Sequence, residues 1–138
     1  MKNYDVSISI NADPDTIWSV LIDAPNYPEW NESVDKVEGT IALGQQVKVF
    51  AKVSPGRAFP VKVAEFVPSE KMVWQGGMPL GLFKGVRTYT LTGNHPVEFR
   101  MQEVFSGLMA PLITRSMPDL TEAFNQFAEG LKRKSESL

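Results

Sequence analysis

Two residues of opposite charge sit in runs that otherwise present apolar side chains on one face. In FKGVRTYTL, alternation puts Phe83, Gly85, Arg87, Tyr89 and Leu91 on the same side of an extended strand; in VEFRMQEVF it does the same for Phe99, Met101, Glu103 and Phe105. Arg87 and Glu103 therefore point inward. A hairpin closed at Gly93-Asn94-His95-Pro96 sets the two opposite or diagonal to each other, within reach of a salt bridge. Either charge buried alone would be costly, so position and pairing go together. Such a pair has two uses. It anchors a ligand carbonyl or carboxylate, or shifts protons as an acid/base couple; alternatively it is a structural brace closing one end of an apolar interior. Tyr89 adds a hydroxyl to the same face. Trp30, Trp74 and Phe83 are candidates for flat walls or an entrance lid, with ordinary core packing as the alternative.

Other chemistries lack the residues they need. There is no cysteine, so no thiolate nucleophile, disulfide or Cys-ligated metal. His95 is the single histidine and falls in a turn, which rules out a His-dependent triad and a multi-histidine metal site. The carboxylates show no ligand spacing, so neither a metal nor a cofactor is expected. Glu65 is a weaker candidate to pair with Glu103 in a two-carboxylate mechanism. The segment GGMPLGLFKG lacks the Lys-Ser/Thr ending and the following helix of a phosphate-binding loop. Asn31-Glu32-Ser33 matches a glycosylation sequon, which carries no weight in a cytoplasmic chain.

The elements that must position these residues follow from periodicity. Tyr4, Val6, Ile8 and Ile10 alternate with polar residues as a first strand. Asp13 as N-cap and Pro14 at the first helical position begin a short helix with Ile17, Trp18, Val20 and Leu21 on its apolar side. Pro25 and Pro28 stop it and allow one more brief turn before Trp30. From Val34 to Ser106 the chain reads as a meander of six strands, with turns at Gly39, Gly44, Ser54-Pro55-Gly56, Pro68-Ser69, Gly76-Gly77 and Gly93-Asn94. Gly76-Gly77-Met78-Pro79 is expected to form a mouth loop. No helical pattern intervenes, which excludes βαβ crossovers and a parallel dinucleotide-binding sheet. Met109, Ile113, Met117, Leu120, Phe124, Phe127 and Leu131 then recur at three and four as one face of a long C-terminal helix. Pro118 predicts a kink or a two-segment helix, with Ser116 capping the restart, and KRKSESL reads as a fraying tail.

Length and charge bound the class. At 138 residues the chain suits one domain, residues 1–138, with enough surface to bury a core unaided. Fourteen Lys and Arg against sixteen Asp and Glu leave a net charge of -2, without the broad cationic field that nucleic-acid binding requires. MKNYDVSISI lacks a signal-peptide core, and no apolar run reaches membrane-spanning length, so a cytoplasmic chain without stable membrane insertion is expected.

The order of elements resembles the helix-grip fold of the START-like, polyketide cyclase/dehydrase superfamily, and specific residues carry the likeness. ISINADPDTIWSVLIDAPNYPEWN resembles the family's opening strand, acidic and proline cap, aromatic helix and Tyr, Trp, Asn cluster. GVRTYTLTG followed by VEFRMQEVFSGLMAPLI resembles its last hairpin and the beginning of its final helix, including a Glu-x-Phe-Ser-Gly element at Glu103, Phe105, Ser106 and Gly107. Glu32 departs from the pattern, since relatives often have proline after Trp-Asn. The resemblance spans essentially the whole chain. It implies an α+β fold in which a curved seven-stranded antiparallel sheet grips a long C-terminal helix, with two short helices after the first strand and a hydrophobic cavity between sheet and helix. Trp30, Trp74, Phe83, Arg87, Tyr89, Phe99, Met101, Glu103, Met109, Met117, Leu120 and Phe124 are the expected lining, with methionines suited to an adaptable wall. Three functions fit. The preferred one is binding of a small hydrophobic or aromatic molecule, a lipid included. The others are a cyclase, dehydratase or isomerase using Arg87, Tyr89 or Glu103, and a chaperone-assisting interaction module. None of them sets an oligomeric state.

Overall fold

The computed structural model describes residues 2–138. Strand β1 (Lys2–Ile10) leads to helix α1 (Pro14–Leu21), a 3₁₀ turn (Ala24–Asn26) and helix α2 (Tyr27–Trp30). Six strands follow: β2 (Val34–Glu38), β3 (Gln46–Ala51), β4 (Phe59–Val67), β5 (Lys71–Met78), β6 (Phe83–Gly93) and β7 (Val97–Ser106). Helices α3 (Ala110–Ser116) and α4 (Thr121–Glu136) close the chain. The strands form one sheet in the order β1-β7-β6-β5-β4-β3-β2, and every paired neighbour is antiparallel. This is the curled sheet and C-terminal helix of a helix-grip fold.

Alternation sets the core face. Ile10, Val63, Met72, Tyr89, Phe99 and Met101 are fully buried from the sheet, and Phe124, Phe127 and Leu131 meet them from α4. Asp13 occupies the N-cap position of α1, but its side chain makes no capping bond; its carboxylate faces His95 Nδ1 at 3.5 Å on the exposed surface.

Three local expectations are corrected. Gly76 and Gly77 lie inside β5, opposite Gly85 and Lys84, and the turn falls later, at residues 79–82. They are glycine because neighbouring backbone leaves no room: a Cβ on Gly76 would meet the Pro60 carbonyl oxygen at 2.9 Å, and one on Gly77 the Phe83 carbonyl oxygen at 2.4 Å. The final helix takes the two-segment form, interrupted over Met117–Leu120, but Ser116 does not cap the restart. Asp119 organises the restart by accepting from Thr121 N–H at 2.9 Å and Thr121 Oγ1 at 2.7 Å, while Ser116 turns back to the Ile113 carbonyl. The tail does not fray. Ser135 is buried, and Glu136 accepts from the Asn11 N–H at 2.8 Å and from Lys132 Nζ at 2.7 Å, which ties the end of α4 to the end of β1.

Candidate functional site

A single row of cross-strand neighbours crosses the concave face: Tyr4 on β1, Glu103 on β7, Arg87 on β6, Trp74 on β5 and Val63 on β4. Arg87 and Glu103 are direct partners. Arg87 donates from Nε at 3.0 Å and from Nη2 at 2.7 Å to the same carboxylate oxygen, Glu103 Oε1. The Phe124 ring of α4 lies over the guanidinium, 4.8 Å from its carbon to the ring centroid, and the Tyr4 ring flanks Phe124 at 5.5 Å. A carboxylate from the neighbouring strand and an aromatic ring from α4 thus both hold the cation.

The pair is not sealed. Its side chains retain 23 % exposure for Arg87 and 14 % for Glu103, although they stand in an apolar surface. Helix α3, which follows β7, is lightly packed: Met109, Ile113 and Met117 are only half-buried and Ala110 is the one buried residue of the helix. Phe83 and Phe105 stack at 5.7 Å with planes 10° apart, further along β6 and β7 toward α3. Gly85 lies between them and the ion pair, where a Cβ would touch Phe105 at 3.1 Å and Glu103 Oε2 at 3.3 Å.

Below the ion pair the face holds buried donors without acceptors. Neither the Tyr89 O–H, whose oxygen faces the Arg87 guanidinium, nor Trp74 Nε1–H finds an acceptor, and their rings meet edge to face at 5.1 Å. Burial pushes the Tyr89 phenol above its ordinary value, against the opposing pull of Arg87, so at neutral pH Tyr89 is a donor. Burial alone would depress Arg87; the Glu103 carboxylate overrides it and holds the guanidinium above its ordinary range.

Deeper in, the expected cavity is filled by the protein's own aromatics. Phe127 stacks parallel to Phe99 at 6.2 Å, contacts Tyr89 at 5.7 Å and meets Trp30 edge on at 5.3 Å. Alternation identifies the faces of these strands but not how far Phe127 reaches between them. Trp30 is 3 % exposed and packs on Tyr27 and Phe127, so it belongs to the core and is no entrance lid. Phe99 and Met101 are likewise fully enclosed. Two open depressions of about 360 and 350 Å³ lie elsewhere, one around Ser7, Ser9 and Glu98, the other around Glu129 and Arg133 at the end of α4. Glu65 sits at a β-bulge and its exposed carboxylate faces Lys71 at 3.5 Å, so it forms no couple with Glu103. Of the other expected residues, Trp74, Tyr89 and Phe124 are buried in the core, Phe83, Met117 and Leu120 are partly buried against it, and Arg87, Glu103 and Met109 are partly exposed. Phe127 and Gly85, which their spacing places on the apolar helix face and the inward strand face, were not among the expected lining and belong beside these residues.

With this geometry in view, the family match is direct. Residues 1–136 match the family described as polyketide cyclase / dehydrase and lipid transport. The chain belongs to that family. No curated protein sequence matches this chain. Among solved structures it is similar to protein MLL2253 from Mesorhizobium loti, at 21% identity over 96% of this chain and 95% of that one, TM-score 0.74. A START superfamily protein from Mycobacterium smegmatis aligns at 14% identity over 98% and 97%, TM-score 0.70. The ZhuI aromatase/cyclase from Streptomyces sp. R1128 aligns at 12% identity over 98% and 93%, TM-score 0.73. At these identities the structures establish a shared fold. Family and fold together fit a hydrophobic-ligand-binding protein.

Proposed function

We propose that the chain binds a small hydrophobic or aromatic molecule beneath α3 and the start of α4, with Arg87, Glu103, Tyr89 and Trp74 at the polar end of the site. The observation that carries this reading is that two of the five buried side-chain polar groups without a partner among the described residues, Tyr89 OH and Trp74 Nε1, stand beside an ion pair that keeps partial exposure to solvent. Each buried donor left unpaired costs roughly 1–3 kcal/mol, and a ligand oxygen placed there would recover it. A brace needs neither the exposure nor the spare donors. The preferred ligand therefore has a flat apolar body and one acceptor oxygen, carbonyl or carboxylate. Helix α3 is the gate on this reading, because it buries a single residue and is joined to α4 by the non-helical link Met117–Leu120. The absence of cysteine suits a reducing, cytoplasmic compartment.

Native mass spectrometry of the purified protein tests the proposal by its retained mass, and titration with a solvatochromic dye tests it in solution. Saturable binding is expected, weakened when Phe124→Trp crowds the space over Arg87 and unchanged by chelators. Dye uptake that never saturates, or that ignores Phe124→Trp, contradicts it.

A further inference from the structure

The β5–β6 hairpin ends in a tight turn over residues 79–82, closed by Leu82 N–H donating to the Pro79 carbonyl at 3.3 Å. Its two central residues, Leu80 and Gly81, both have positive φ, 62° and 69°. That mirror-image turn is suited by asparagine followed by glycine. Leucine at Leu80 bears the left-handed backbone penalty of a side chain with a Cβ, and it is also 94 % exposed. Neither backbone geometry nor burial in this chain favours leucine there.

Two more exposed leucines share the surface. Leu108 N–H donates to the Gly81 carbonyl at 3.1 Å and Met109 N–H to the Leu82 carbonyl at 2.7 Å, which joins the start of α3 to the turn. Leu108 is 84 % exposed, and Leu112, one helical turn further on, is 61 % exposed. Met78 and Phe59, both exposed, continue the patch along the ends of β5 and β4.

Charge is segregated around it. Residues 39–64, 71–97 and 104–118 hold eight Lys and Arg and no Asp or Glu, in a chain whose net charge is -2. Three connections at this end, residues 52–58, 79–82 and 107–109, fall within those stretches, while a fourth, residues 31–33 beside Lys52, carries the exposed Glu32. Arg57, Lys84 and Arg115 are exposed there; the exposed acids of the same end are Glu32 and Asp35 at the start of β2, on the sheet's edge beside Lys52, and Asp119, which lies by Lys2, with Glu122 at the start of α4. Leu80 and Leu108 stand out from loop tips and Leu112 from the exposed side of α3, rather than lining a groove shaped for a peptide. Protruding apolar side chains among cations match a fluid interface carrying negative charge.

We propose that this end of the molecule docks reversibly on an anionic lipid surface, with Leu80, Leu108 and Leu112 inserted among the acyl chains and Arg57, Lys84 and Arg115 on the headgroups. The contact is peripheral, since no helix among the described residues is long and apolar enough to cross a membrane. It stands independently of the ligand site.

Vesicle flotation tests it, using phosphatidylcholine alone and phosphatidylcholine mixed with phosphatidylglycerol. The protein should float with the mixed vesicles, not with phosphatidylcholine alone, and added salt should release it. Leu80→Asn supplies the turn's preferred residue, so its Tm should equal or exceed that of the parent while its partitioning falls at least about tenfold. Leu108→Ser, outside the turn, should weaken partitioning in the same direction. A parent protein that ignores both vesicle types, as one built for a protein partner would, overturns the proposal; so does a folded Leu80→Asn variant that floats undiminished.

Discussion

Gly130 of α4 and Trp30 of α2 meet without side-chain space between them: a Cβ added to Gly130 would stand 1.9 Å from the Trp30 carbonyl oxygen. The glycine lets α2 press its backbone onto α4, and this contact places Trp30 against Phe127 and Tyr27. Gly130→Ala should therefore destabilise the fold by about 2 kcal/mol or more, although alanine in a helix interior is worth about 1 kcal/mol over glycine. Urea denaturation measures the loss, and the indole emission of the folded variant should shift as Trp30 is displaced. A variant as stable as the parent would show that α2 yields freely.

Acid should loosen the molecule at identifiable places. Asp5 is held below its ordinary value by its hydrogen bonds from Arg100, Asp119 by the Thr121 backbone and hydroxyl, and Glu136 by Lys132 and the Asn11 N–H. Carboxylates depressed in the folded state add stability that is fully present above their unfolded values, near about pH 4, and is lost as pH falls through the lower folded values. Denaturation series should thus show stability falling below about pH 4. Glu136→Gln should reduce stability at neutral pH, flatten that fall and speed hydrogen exchange at the Asn11 amide. An unchanged acid limb would separate Glu136 from the anchoring of α4.

Alkali acts through the tyrosines. Burial raises both Tyr27, whose hydroxyl donates to the Leu21 carbonyl, and Tyr89 above their ordinary values. The unfolded chain releases these protons near about pH 10 while the folded chain keeps them, so stability is unaffected below that pH and declines above it. Phenolate absorbance from both residues should appear only together with loss of the folded signal. Ionisation of Tyr89 in the folded protein would mean that its hydroxyl is already reached by solvent.

Strand alternation was enough to place Arg87, Tyr89 and Glu103 on one face, because a period of two leaves no other choice once the hairpin at Gly93-Asn94-His95-Pro96 is recognised. The same signal misread Gly76 and Gly77 as a turn: glycine marks close backbone approach as well as reversal, and only the register with β4 and β6 distinguishes them. The break at Met117–Leu120 was foreshadowed by Pro118, but the turn by which Asp119 accepts from Thr121 ahead of α4 depends on local geometry that spacing does not encode. Least legible was the interior. Periodicity gives the direction of Phe99 and Phe127, whereas their parallel stacking, which fills the expected cavity, arises from how closely α4 approaches the sheet.

Whether the Arg87–Glu103 pair orients a ligand or only braces β6 against β7 is decided by removing both charges together. Either single substitution strands a partly buried charge and can unfold the chain for that reason alone. Arg87→Met with Glu103→Leu removes the desolvation cost along with the attraction, so the double variant should fold. Ligand affinity across a panel of acids, ketones and plain hydrocarbons, measured by dye displacement on the folded double variant, is the direct measurement. Polar-headed ligands should bind at least about tenfold more weakly, about 1.4 kcal/mol, while hydrocarbons are unaffected. Undiminished affinity for every member of the panel would contradict the anchoring role and leave the pair a brace.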